Sequence, residues 1–181
     1  MLQTGLIDRC RENDRKAQLT LYNKYSEGMY YVAYRFLKDS FEAEDAMQEG
    51  FISAFSKLHQ FTGDVTFGAW LKRIVINKSI DKLKAKKATL VSIDEGVMAV
   101  AEEDQGWEVS EGIEMDHIKA EIEALPEKYR CAIMLFLVEG YDHEEISEIL
   151  GITQVTSRTL VHRGKKKLIN ALQEVRYGTG S

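Results

Sequence analysis

Apolar side chains recur at helical spacing along most of the chain, and strand-like alternation is scarce. Leu6, Ile7 and Cys10 predict a short first helix. Tyr22, Tyr25, Met29, Tyr30, Ala33, Phe36 and Leu37 form the inner stripe of a long amphipathic helix. After a break near Lys38–Ser40, a second long helix runs from about Glu42 to Leu58, with Met47, Phe51, Ala54, Phe55 and Leu58 facing inward. A third spans Phe67–Lys87. Periodicity then stops until Ile113–Ala124, where Ile118 and Ile122 resume it. Pro126, the only proline, suits the first turn of the next helix, whose core face is Tyr129, Ile133, Phe136 and Leu137. The pattern predicts an all-α protein of two small helical domains, residues 1–87 and 113–177, joined by a flexible acidic linker over 88–112. Residues Arg176–Ser181 read as a frayed polar tail.

The stretch Gly140–Leu168 has the pattern of a helix-turn-helix. Asp142 and Glu145 have capping-box spacing. Ile146, Ile149 and Leu150 make one apolar face, Gly151 ends the helix in a tight turn, and Thr153 caps the next one. On a 3.6-residue wheel, Ser157, Val161, Gly164, Leu168 and Leu172 fall inside. Thr156, Thr159, His162, Arg163 and Lys166 fall outside, with Arg158 at the flank. Hydroxyls, an imidazole and cations on one outer face suit a DNA major groove, where phosphates are bound and base edges read. The alternative is a solvated cationic helix in an ordinary bundle.

Charge sharpens this picture. The net charge of −5 argues against nucleic acid, but it conceals an asymmetry. From Ala88 to Asp116 there is no Lys or Arg among many acids, whereas Lys72–Lys87 and Arg158–Lys167 are basic. Contact with nucleic acid depends on such local patches. Glu44, Asp45, Gln48 and Glu49 form an acidic patch near the start of the second long helix, a placement that the helix dipole already favours. Phe61 lies on a short polar loop, His59–Thr66, and is either packed inward or a stacking platform for an exposed base. Trp70, Ile74, Asn77 and Asp81 share one face of the third helix, beside Lys72, Arg73, Lys78, Lys82 and Lys84. Rings interleaved with cations serve either a solvated helix or a single-strand binder.

Taken in order, AEDAMQEGFISAF, HQFTGDVTFGAWLKRIVINKSIDKLKAKK, the acidic linker, ALPEKYRCAIML and EEISEILGI before a basic helix resemble the extracytoplasmic-function sigma factors of bacterial RNA polymerase, the small two-domain, sigma-E-like type. The resemblance covers nearly the whole chain. It implies a promoter-specificity subunit that directs core RNA polymerase to promoter DNA and assists melting. Residues 1–87 would be sigma region 2, and 113–177 region 4. It implies that Glu44, Asp45, Gln48 and Glu49 grip the polymerase largest subunit. It also implies that Phe61 and Asn77 capture a flipped base of the minus-ten element, supported by Trp70, Lys72, Arg73 and Lys84. Thr156, Arg158, Thr159, His162, Arg163 and Lys166 would read the minus-thirty-five element. An anti-sigma factor is an expected partner. The chain departs from the family where Val155 replaces a common Gly, and where Leu160 replaces a common basic residue and so removes a DNA donor.

No catalytic set, Gly-rich phosphate loop or metal-ligand spacing stands out; HEEIS at His143 puts Ser147 where a zinc motif has its second His. No cofactor is expected. Cys10 and Cys131 read as free thiols of a cytoplasmic protein, and no apolar run is long enough to insert in a membrane. The rival readings are a conventional helix-turn-helix regulator that acts without being a polymerase subunit, and a helical adaptor that binds only protein.

Overall fold

A computed structural model describes residues 2–88 and 113–178. All regular structure among them is helical, and the chain divides into two compact units, Met1–Ser92 and Ile93–Ser181. Of the expected linker, 88–112, Ala88 ends α4 and residues 89–112 lie outside the described residues.

The first unit holds α1 (Leu2–Arg11), α2 (Arg15–Leu37), α3 (Ser40–Ser56), a 3-10 turn (Leu58–Gln60) and α4 (Phe67–Ala88). Local chemistry sets each boundary. The Asp14 carboxylate accepts the Lys16 and Ala17 N–H groups at 2.9 and 3.3 Å and starts α2. Lys38, in the left-handed region at φ 56°, ends it by donating its N–H to the Tyr34 carbonyl at 2.8 Å. Asp39 then caps α3 through the Glu42 N–H, 3.0 Å away, and the Thr66 hydroxyl accepts the Ala69 N–H in the first turn of α4. Helices α2, α3 and α4 pack mutually around Leu21, Phe36, Phe51, Phe67, Leu71 and Ile76, and α1 lies on α2 through Ile7 and Cys10. Burial, with the nearby Asp14 charge, pushes the Cys10 thiol up, so it is a poor nucleophile.

Where α3 crosses α4 the backbones come close. A Cβ at Gly50 would meet Val75 Cγ2 at 2.6 Å and Val75 Cα at 3.4 Å. Only a hydrogen fits there.

The second unit holds α5 (Met115–Ala124), α6 (Glu127–Ile133), a wide turn (Met134–Val138), α7 (His143–Leu150) and α8 (Gln154–Gly178). Pro126 sits one residue before α6, at its N-cap. In the wide turn the Glu139 N–H reaches back to the Met134 carbonyl at 3.0 Å, an i→i+5 bond. Helix α8 packs on α5, α6 and α7, with Leu168 and Val161 at its centre and Ile133 and Ile146 opposite. It continues to Gly178, so Arg176–Gly178, at the start of the tail expected to fray, are helical.

Two glycines of the first unit predict opposite outcomes. Gly28 in α2 is exposed with nothing within 4 Å of an added Cβ. Gly28→Ala is therefore expected to stabilise by about 0.5–1 kcal/mol through reduced unfolded-chain entropy. Gly50→Ala drives a methyl into a β-branched side chain with little rotamer freedom, and is expected to destabilise by roughly 1–3 kcal/mol. Urea unfolding of the two variants against the parent checks the pair of signs.

Candidate functional site

The acidic patch on α3 is present but partly engaged. Glu44, Asp45 and Gln48 are exposed and Glu49 is half-buried. Lys82 of α4 reaches across to this edge. Its ammonium bonds Asp45, lies 3.5 Å from Glu49 and 3.9 Å from Glu42, and Lys86 stands 3.3 Å from Glu42. Only 18% of the Lys82 side chain is exposed. The Lys82 hydrogen bond, and then its charge, hold the Asp45 carboxyl below the usual carboxylate range. The same bond raises the Lys82 ammonium above its ordinary value in spite of desolvation. Glu44 and Gln48 instead bond each other at 3.4 Å on the outward side of α3.

On α4, Asn77, Asp81 and Lys84 are exposed, while Trp70, Lys72, Arg73 and Ile74 are half-buried. Asn77 and Asp81 share a face with Trp70 and Ile74, and being exposed they need no buried hydrogen-bond partner. Phe61 is not displayed. The residue is 8% exposed, its ring edge-on to Phe67 at 5.9 Å and tilted on Trp70 at 5.2 Å. The reason is that the 3-10 turn folds the loop back over the start of α4, where burying a phenyl ring is worth more than leaving it in water. The inward alternative holds for this conformation; stacking on a base would require the ring to turn out of the cluster.

In the second unit α7 starts with a full capping box: the Asp142 carboxylate accepts the Glu145 N–H at 2.8 Å, and Glu145 accepts the Asp142 N–H at 2.9 Å. Gly151 takes the left-handed conformation, φ 67°, and Thr153 accepts the Thr156 N–H at 3.1 Å to start α8. The expected inner residues Ser157, Val161, Gly164, Leu168 and Leu172 are all buried. Arg158 and Lys166 are exposed, and Thr156, His162 and Arg163 are half-buried.

Thr159 corrects the wheel, and Leu160 corrects the expectation of a lost outward donor. Both are 6% exposed, and the Thr159 hydroxyl donates to the Val155 carbonyl of its own helix at 3.0 Å. Helix α8 is packed on three neighbours, so its covered face is wider than a single stripe. Leu160 is therefore a core residue, and in this fold its side chain does not stand where an outward donor was lost. Two features were missed in the sequence. His143 stacks on Phe136 and its Nδ1 lies 3.0 Å from the buried Ser157 hydroxyl, tying α7 to α8. Lys165 and Lys167 lie over the Phe136 and Tyr129 rings at 4.8 and 5.3 Å, so part of the basic run is turned towards the core rim.

Comparison with known proteins bears on these surfaces. Residues 21–89 match the family model of Sigma-70 region 2, and 116–168 that of Sigma-70 region 4. The chain is 31% identical over 179 residues to the ECF RNA polymerase sigma factor SigW of Bacillus subtilis, covering 93% of this chain and 96% of that one. The chain belongs to the extracytoplasmic-function sigma factors of bacterial RNA polymerase. This sigma factor is also 32% identical over 180 residues to the RNA polymerase sigma-H factor of Pseudomonas aeruginosa, covering 93% and 92% of the two chains. Its fold is similar to that of the sigma factor RpoE solved in complex with the anti-sigma factor NepR from Bartonella quintana: TM-score 0.54, 20% identity, 85% of this chain and 95% of that one. The chain is thus an RNA polymerase subunit that acts with core enzyme on promoter DNA in transcription initiation, and the conventional-regulator alternative is not favoured. Among the described residues of this sigma factor, no helix is long and apolar enough to cross a membrane.

The Lys82 cluster gives a pH signature. A depressed carboxylate contributes stability above its unfolded value near ~4 and loses it as pH falls through the folded value; a raised lysine contributes below ~10.4 and loses it as pH rises through its own. Lys82→Met is expected to lower the thermal midpoint at pH 7, and the gap to the parent should close as pH falls towards ~3. Calorimetry over that range checks it; a gap independent of pH would assign the effect to packing of the lysine stem.

Proposed function

We propose that the two units divide promoter recognition between them, the first as sigma region 2 over residues 1–87 and the second as region 4 over 113–177. The acidic edge of α3, with Glu44 and Gln48 outward and Asp45 and Glu49 beside Lys82, meets the core enzyme. Acid on an exposed helix edge suits a basic or polar partner surface. The outer side of α4 and the loop before it receive the minus-ten strand. Asn77 offers hydrogen bonds to a base edge, Lys72, Arg73 and Lys84 serve the backbone, and Trp70 with Phe61 forms the apolar support. Phe61 acts from inside this support, or turns out as the base arrives. Helix α8 enters the major groove of the minus-thirty-five element. Thr156, Arg158, His162, Arg163 and Lys166 lie on its reading side, and Val155, half-exposed at the tip, suits a thymine methyl.

The observation that carries the upstream assignment is the capped α7–turn–α8 geometry. It covers one side of α8 on three neighbours and leaves Arg158 and Lys166 exposed. The protein works in the cytoplasm, contributes no catalytic chemistry or cofactor of its own, and is restrained by an anti-sigma protein. The resemblance of the fold to a sigma factor solved with such a partner supports that last point.

Selection of promoters from a randomised upstream element, with reconstituted holoenzyme, tests the reading side. Arg158→Ala or Arg163→Ala should relax preference at one position by about 1–3 kcal/mol if the residue reads a base, and weaken all sequences alike if it binds phosphate. Thr159→Val, at a buried position, should leave the preference unchanged. Preference unaltered by either Arg change but altered by Thr159→Val would move the reading side of α8.

A further inference from the structure

Helix α1 precedes the region 2 match, yet it is fastened to the loop that carries Phe61. All three guanidinium nitrogens of Arg11 are engaged. Nε donates to the Leu58 carbonyl at 3.3 Å, Nη2 to the Phe61 carbonyl at 2.7 Å and Nη1 to Asp8 Oδ1 at 2.7 Å. The Leu58 carbonyl also accepts the Phe61 N–H, at 3.2 Å, and so closes the 3-10 turn. The Arg11 fork thus spans that turn, gripping its first residue and the residue just after it. A planar guanidinium can hold two carbonyls at fixed separation; an ammonium acts as a point donor.

Packing does little to hold the loop on this side. Between α1 and the loop lies a cavity of about 230 Å³, bordered by Thr4, Ile7, Arg11, Phe61 and Thr62. Thr62 through Thr66 are exposed, Gly63 stands at φ 85°, and the Thr62 hydroxyl bonds Asp64 within the loop. The α1 end of the fork is itself anchored. Ile7 and Cys10 are buried, Arg9 bonds Asp14 at 2.6 and 2.8 Å, and Gln18 reaches the Cys10 carbonyl at 3.4 Å.

We propose that Arg11 is a positioning residue for promoter opening: through the Leu58 and Phe61 carbonyls it sets the loop against Trp70 at the start of α4, and α1 thereby belongs to the strand-capturing unit. The proposal rests on the assignment of the Phe61 loop to the minus-ten strand. Preorganised polar groups act without reorganising when their ligand arrives, and a loop held by charge-assisted bonds meets that condition.

The test uses holoenzymes reconstituted with Arg11→Ala, Arg11→Lys or Phe61→Ala. Opening of a duplex promoter is read by permanganate reactivity, alongside opening on a premelted template and affinity for core polymerase. Arg11→Ala should slow duplex opening roughly tenfold, the scale of a lost charge-assisted bond, with core affinity kept within about twofold and a smaller loss on premelted DNA. Arg11→Lys should recover only part of the rate. Normal opening by Arg11→Ala beside slowed opening by Phe61→Ala overturns the role of Arg11 and leaves the loop assignment standing. Normal opening by both overturns the two together. A parallel loss of opening and core affinity, or full rescue by Arg11→Lys, also overturns the proposal, since either shows general support or charge alone in place of the fork.

Discussion

The close crossing of α3 and α4 is the constraint on which the first unit depends. At Gly50 the two backbones approach within the reach of a single methyl group, and Val75 fills the space a side chain would need. That approach brings the acidic edge of one helix beside the basic side of the next, where Lys82 sits among Asp45, Glu49 and Glu42. One rigid pair of helices therefore presents two chemically opposite surfaces. Packing fixes their relative placement, and the ion pairs hold the carboxylates in register. Pairs whose carboxylates reach solvent add only modestly to stability in general, so their main consequence is geometric. They leave Glu44 and Gln48 on the outward side and turn Asp45 and Glu49 towards α4.

The second unit uses a different device. Helix α8 is gripped by three neighbours, and the grip is made of side chains that read as polar or small in the sequence: Ser157 bonded to His143, Thr159 bonded back to its own helix, Gly164 against Ile133. A Cβ at Gly164 would meet Ile133 Cγ1 at 2.6 Å, so α6 and α8 also touch almost backbone to side chain. The uncovered side includes Val155, Arg158 and Lys166, flanked by half-covered Thr156, His162 and Arg163. An exposed side on a well-supported helix suits groove reading, because a reading side chain gains from a rigid base.

Much of this was legible in the sequence, for identifiable reasons. Helix limits were written in short-range chemistry: Asp142 with Glu145, Gly151, Thr153 and the break at Lys38–Ser40 each act within four residues, and the structure uses all of them. The inner stripe of α8 followed from its period. What the sequence concealed was set by tertiary packing. Phe61 looked like a ring in a polar loop, and only the fold-back of the 3-10 turn puts it against Phe67 and Trp70. Thr159 looked outward because a wheel assumes one neighbour and α8 has three. The Arg11 fork joins residues 47 and 50 positions apart, and no local pattern announces such a bond.

If α3 and α4 carry separable surfaces, the two surfaces must fail separately. Open-complex formation measured as a function of core polymerase concentration, for Glu44→Lys and for Asn77→Ala, addresses that point most directly. Glu44→Lys should demand more core enzyme to reach half-maximal opening and then open promoters to the parental plateau. Asn77→Ala should reach half-maximal opening at the parental concentration and stop at a lower plateau. Midpoint and plateau falling together in both variants would contradict the division of labour, and would make the helix pair a single surface for one partner.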